Sequence, residues 1–134
     1  MFPILNRKII AERAYATLYY IPNIDLIEVV FIGATEIGKN EVIDLVNTSL
    51  SFNNGTNKRA LITATKLFIN MSPEARAQFS KMLRPAFKTE KMAIYVNNMG
   101  YKLIANFFIS VNKPSIPTKM FSNRDKAIEW LLME

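Results

Sequence analysis

The sequence predicts a single α/β domain built on a mixed, mostly parallel sheet, and three observations carry that expectation. Its 134 residues are the size of one domain. Half are hydrophobic, 11% aromatic and 21% charged, an ordinary globular composition with enough apolar surface for one core. Segments rich in β-branched and aromatic residues then alternate with segments of helical period after an opening hairpin, and that alternation implies parallel strands joined by crossover helices.

Taken in order, residues 1–14 scatter apolar side chains around Arg7, Lys8, Glu12 and Arg13, and are expected to form an arm or short helix ahead of a domain over 15–134. Thr17–Ile21 is aromatic and β-branched, and Pro22-Asn23 interrupts it as a turn would. Asp25–Gly33 supplies a second strand. Two strands so close in sequence must run antiparallel. From Asn40 the period changes: Val42, Leu45, Val46, Ser49 and Leu50 fall on one helical face, and Asn53-Asn54-Gly55 ends it. Ala60–Thr65 reads as a strand buried on both faces.

Ser72-Pro73-Glu74 opens the next helix with a hydroxyl cap, a proline at the first helical position and an acid in the first turn. Pro85 should end it near Arg84. Lys91–Val96 is a strand. Leu103, Ile104, Phe107, Phe108 and Val111 repeat at helical spacing, and Pro114 marks the exit. Thr118–Phe121 is a short strand, and the last helix opens on Ser122 and Asp125, spaced as a capping box. The expected order is β-β-α-β-α-β-α-β-α, with one antiparallel strand.

Composition narrows function. The absence of cysteine and histidine removes disulfides, thiol nucleophiles, Ser-His-Asp triads and the imidazole or thiolate ligands of metals. The longest charge-free apolar stretches, such as Leu103–Asn112, fall far short of the ~20 residues of a membrane-crossing helix. At the N-terminus the apolar residues precede Arg7 and Lys8, the reverse of a secretory signal, so a cytoplasmic location is expected.

Net charge is +6, unevenly spread: residues 1–57 carry −2 and residues 58–134 carry +8. Such asymmetry suits phosphate or an anionic lipid surface, although basic side chains more often simply solvate helix faces. Arg76, Lys81 and Arg84 spread over about 140° of their helix, opposite Phe79 and Met82. Nucleic acid is disfavoured as a partner because nearly every aromatic takes a core-facing position.

Motifs for chemistry are sparse. The four glycines, at 33, 38, 55 and 100, form neither a P-loop nor a dinucleotide fingerprint, and no cofactor is expected. Asp25, Glu28, Glu36, Glu41 and Asp44 match no calcium-loop spacing. Asp25 and Glu28 would face opposite sides of a strand, so all five read as solvated charges. Ser72 is a candidate phosphorylation or partner-contact site beside Arg76 and Arg84, because a helix N-terminus favours a phosphate. An ordinary N-cap is the commoner role for such a serine.

Asn106-Phe107-Phe108, Asn112-Lys113-Pro114, Ile116-Pro117-Thr118, Phe121, Ala127 and Trp130-Leu131 together resemble an uncharacterised family of small bacterial proteins. That family is similar to the STAS domains of anti-sigma-factor antagonists and to the lipid-binding CRAL-TRIO domain. The likeness spans roughly Tyr15 to Leu132. It implies a mixed sheet of four or five strands with helices mainly on one face. It also implies a serine or threonine after the central strand that a partner kinase phosphorylates. Ser72 is the nearest position, although the loop Phe68-Ile69-Asn70-Met71-Ser72-Pro73 lacks the Asp-Ser-Ser-Gly-type signature.

The expected function is therefore non-enzymatic: a regulatory, STAS-like module that binds another protein, with a homodimer as a further expectation and contact with an anionic membrane surface compatible with the charge. The alternative is a carrier or sensor of a lipid or other apolar ligand, with Phe79, Phe107 and Phe108 lining the pocket.

Overall fold

The computed structural model describes residues 6–32, 36–52, 59–64, 70–75, 77–78, 89–96 and 116–133. Its centre is a six-stranded sheet in the order β1-β2-β3-β5-β7-β8, made from Lys8–Glu12, Ala16–Ile21, Leu26–Phe31, Arg59–Ala64, Lys91–Val96 and Thr118–Phe121. β1 pairs antiparallel with β2, and β2 with β3; every later pairing is parallel. Only β2 runs against the others, as the opening hairpin requires.

The sheet has six strands where the resemblance implied four or five, and the added strand lies at the N-terminus. Residues 8–12, expected in an arm or short helix, form the edge strand β1 of the same sheet. The alternation that would have revealed it is broken, because the register shifts between Ile9 and Ala11. Such a bulge bends the strand and hides its period of two. It also suits an edge, where a flat row of free backbone groups would invite other chains.

The turn between β2 and β3 is a 3-10 helix, Pro22–Ile24, closed by Asp25 in the left-handed conformation at φ 48°. Aspartate tolerates that region better than most residues. The first helix, Lys39–Ser51, carries the chain from β3 toward β5 and turns Val42, Leu45 and Val46 inward. They pack on Ala16, Leu18, Ile27, Val29, Ile94 and neighbours to form the larger core cluster. Gly38 caps this helix, its N–H donating to Glu41 Oε1 at 2.8 Å. A Cβ at Gly38 would stand 2.7 Å from that oxygen, so glycine leaves room for the bond.

The C-terminal helix, Arg124–Leu132, lies on the opposite face. Its Ala127, Ile128 and Leu131 pack on Ile21, Leu26, Leu61 and Ala93. β5 is therefore buried on both sides, Leu61 toward one helix and Ala64 toward the other. The cap of the C-terminal helix is Asn123 rather than Ser122: its side chain accepts from Lys126 N at 3.0 Å. Two basic side chains hold its other end. Arg59 Nε donates to the Leu131 carbonyl, and Lys91 Nζ donates to those of Trp130 and Met133. Cations suit that end, where the free carbonyls of a helix gather.

A two-residue parallel pair completes the architecture, β4 (Glu36–Ile37) against β6 (Asn70–Met71). It lies just before two helix starts, and Ser72 N donates to the Ile37 carbonyl at 2.9 Å. The helix expected over Leu103–Val111, and the helix end expected near Arg84, fall outside the described residues.

Candidate functional site

β3 reads Leu-Ile-Glu-Val-Val-Phe, an acid inside an apolar strand. Glu28 is 1% exposed, which corrects the expectation of a solvated charge. Burying an isolated carboxylate is prohibitive, so partners must converge on it. Thr63 Oγ1, on the adjacent strand β5, donates to Oε2 at 2.8 Å. Arg124, the first residue of the C-terminal helix, donates from its terminal nitrogen to Oε1 at 2.8 Å and from Nε to Oε2 at 3.4 Å. Arg7, just before β1, donates to Oε1 at 3.2 Å while its guanidinium lies over the Tyr19 ring, 4.0 Å from the centroid.

Burial pushes the Glu28 carboxyl upward, but the Arg124 bonds and charge, the Thr63 hydroxyl and the Arg7 charge together hold it below the ordinary range. At neutral pH the group is a fixed anion gripping two cations. It has no proton to give, and its lone pairs are engaged. The arrangement can organise charge; it is not poised for acid–base work.

Alternation along the strands sets the neighbourhood. Tyr19, Glu28, Leu61, Ala93 and Lys119 form one row across the sheet, and Thr17, Val30, Thr63, Tyr95 and Phe121 form the next. The C-terminal helix packs on the rows at and below Leu61 and Ala93. Among the described residues no helix covers the stretch Thr17–Val30–Thr63. Among the described residues three cations stand over rings on this side: Arg7 over Tyr19, Lys119 over Phe121 at 5.5 Å, and Lys91 over Trp130 at 4.8 Å.

A second charge cluster ties the β1–β2 turn to the first helix. Tyr15 donates through its hydroxyl to Asp44, and Arg13 Nε donates to the same carboxylate at 2.8 Å. The Tyr15 hydroxyl bond, despite some desolvation, and the Arg13 bond and charge hold Asp44 below its usual range. Burial, with the bond to Asp44, pushes Tyr15 upward. This cluster fastens rather than reacts.

Of the expected site residues, the structure describes Ser72 alone. It is 9% exposed, and its Oγ accepts from Ala75 N at 3.1 Å, the geometry of an N-cap. Arg76, Arg84, Phe79, Phe107 and Phe108 lie outside the described residues. A shallow groove of about 180 Å³ is lined by Ile10, Thr48, Ser51 and Phe52. That is smaller than the ~300 Å³ of a typical ligand pocket.

Sequence reasoning missed Glu28, Thr63, Arg7 and Arg124. A usable signal was there: a charge inside a strand with apolar residues on both faces needs a counter-ion from elsewhere in the chain.

A family model described as "Domain of unknown function (DUF7793)" matches residues 19–133. No curated protein matches the chain. Among solved structures, an uncharacterised protein of the DUF3478 family with a SpoIIAA-like fold, from Shewanella loihica PV-4, is similar over 95% of this chain and 93% of that one. The TM-score is 0.53 at 19% identity, a likeness of fold.

Proposed function

Because the chain belongs to the DUF7793 family and shares a SpoIIAA-like, STAS-like fold, we propose that it is a non-enzymatic module that binds another protein through the second face of its sheet. The observation that carries this reading is the half-buried group Thr17, Tyr19 and Val30, on a stretch of the sheet without a covering helix among the described residues and bordered by buried Thr63. Half-buried aromatics beside cations are the composition of protein interfaces. The full pairing of Glu28 supports binding over catalysis.

Ser72 enters this reading as a regulatory position. A phosphoryl group on its hydroxyl would replace the bond from Ala75 N and face the helix N-terminus, where negative charge is favoured. The cytoplasm is the proposed location; among the described residues no helix is long and apolar enough to cross a membrane.

Lysine cross-linking in the source cells tests the surface. The expected result is a partner protein joined to Lys119 or Lys126, and its loss in Ile9→Glu, which places a charge at an exposed position beside Tyr19. Cross-links confined to Lys39, on the first helix, would overturn the assignment. For the switch, Ser72→Asp should change partner capture while Ser72→Ala stays folded; unchanged capture in both removes it.

A further inference from the structure

Deepening that binding reading, on which it rests, we propose that Arg7 and Arg124 form a seat for a carboxylate presented by an acidic segment of the partner protein. Both guanidiniums reach the same oxygen, Glu28 Oε1, at 3.2 and 2.8 Å. Two cations therefore stand close together around one anion, with one positive charge in excess. Glu28 lies beneath them at 1% exposure, whereas the arginine side chains keep 39% and 32% of their surface open.

A guanidinium carries five N–H donors. Arg7 uses one nitrogen on Glu28 and Arg124 uses two, and no other hydrogen bond joins either side chain to a described residue. Donors therefore remain for an incoming anion. Its contact with the Tyr19 ring, 4.0 Å from the centroid, helps hold the Arg7 guanidinium in place, so less freedom is lost on docking. Arg124 begins a nine-residue helix, and an anion beside it also meets the positive end of that helix.

Charge selects the ligand class. Asp125 and Lys126, in the same first turn, offset one another. The remaining single positive charge suits a monoanion, and guanidinium binds carboxylate through paired N–H bonds. A phosphate dianion would keep one uncompensated charge above Glu28. The neighbouring half-buried Tyr19 and Val30 offer apolar surface to the rest of a peptide.

The test titrates the full chain at low salt with an acetylated hexaglutamate peptide, followed by calorimetry and amide NMR. Inorganic phosphate and phosphatidylglycerol vesicles form parallel arms. The peptide should shift the amides around Arg7, Tyr19 and Arg124. Arg7→Gln should weaken it roughly threefold to fivefold, while Lys39→Gln leaves it unchanged. Glu28→Gln should strengthen it, because the competing carboxylate is gone; a purely structural Glu28 would give the opposite sign.

Equal affinity in Arg7→Gln and the natural chain, weaker binding in a folded Glu28→Gln, or preference for phosphate or vesicles over the peptide would each overturn the seat. Arg7 lies outside the core, so its variant decides the matter even if Glu28→Gln fails to fold. The peptide arm needs no cellular partner. Peptide binding with cross-links only at Lys39 sinks the docking surface alone; cross-links at Lys119 with an indifferent Arg7 sink the seat alone.

Discussion

Glu28 gives the molecule a pH response whose sign follows from its environment. Its carboxyl sits below the ordinary glutamate value near 4.3. A carboxyl held lower in the folded than in the unfolded chain adds stability above the unfolded value. That stability is lost as pH falls through the unfolded and then the folded value. Thermal melts between pH 3 and pH 7 should therefore show Tm falling below about pH 5. Glu28→Gln should lower Tm at pH 7 and flatten the acid slope. Asp44, held down by Tyr15 and Arg13, keeps a residual slope of the same sign. A slope identical to that of the natural chain would assign the acid response to other carboxylates. At this scale the sequence is only partly legible: Glu28 inside an apolar strand calls for a counter-ion, but which distant side chains supply it shows only in the folded chain. Ser122 and Asn123 are both good capping residues, and the structure uses Asn123, whose side chain accepts from Lys126 N.

Among the elements, legibility follows the regularity of the hydrophobic period. The first helix and β7 were readable because nothing interrupts Val42-Leu45-Val46 or Lys91–Val96. β1 was not, because its bulge spoils the alternation. The pair β4–β6 has only two residues per strand, too few for any period. Capping chemistry was legible at Ser72, where Ser-Pro-Glu specifies both the cap and the direction of the helix. Ser72→Ala should destabilise the domain by about 1 kcal/mol in urea unfolding, with no change in the m value if the cap is all that is lost. Leu131 is 1% exposed at the centre of the smaller core cluster. Leu131→Ala should cost about 2–5 kcal/mol, and a cost near zero would mean that the C-terminal helix is not bound to the sheet as described.

At the scale of the whole molecule, the topology was legible while the reach of the C-terminal helix over the sheet was not. Alternating strands and helices after a hairpin leave few arrangements, and the mixed sheet with one reversed strand is among them. Among the described residues, how much of that face of the sheet a helix covers depends on how far the C-terminal helix reaches, and periodicity carries no such length. The sequence separations at Glu28 have a further meaning for how the chain finds its structure. Arg7 and Glu28 are 21 residues apart, whereas Arg124 and Glu28 are 96 apart. The first contact belongs to a local meander; the second must close a long loop, and such contacts carry the larger entropic cost before they reward the chain. β1, β2 and β3 should therefore assemble early and the C-terminal helix dock late, drawn in by a carboxylate already waiting on β3. Arg124→Ala, with a loss of about 2 kcal/mol for hydrogen bonds to a charged group that keeps its Arg7 and Thr63 partners, should then leave the refolding rate nearly unchanged and speed unfolding roughly thirtyfold in stopped-flow measurements. Slower refolding instead would place residue 124 in the folding nucleus.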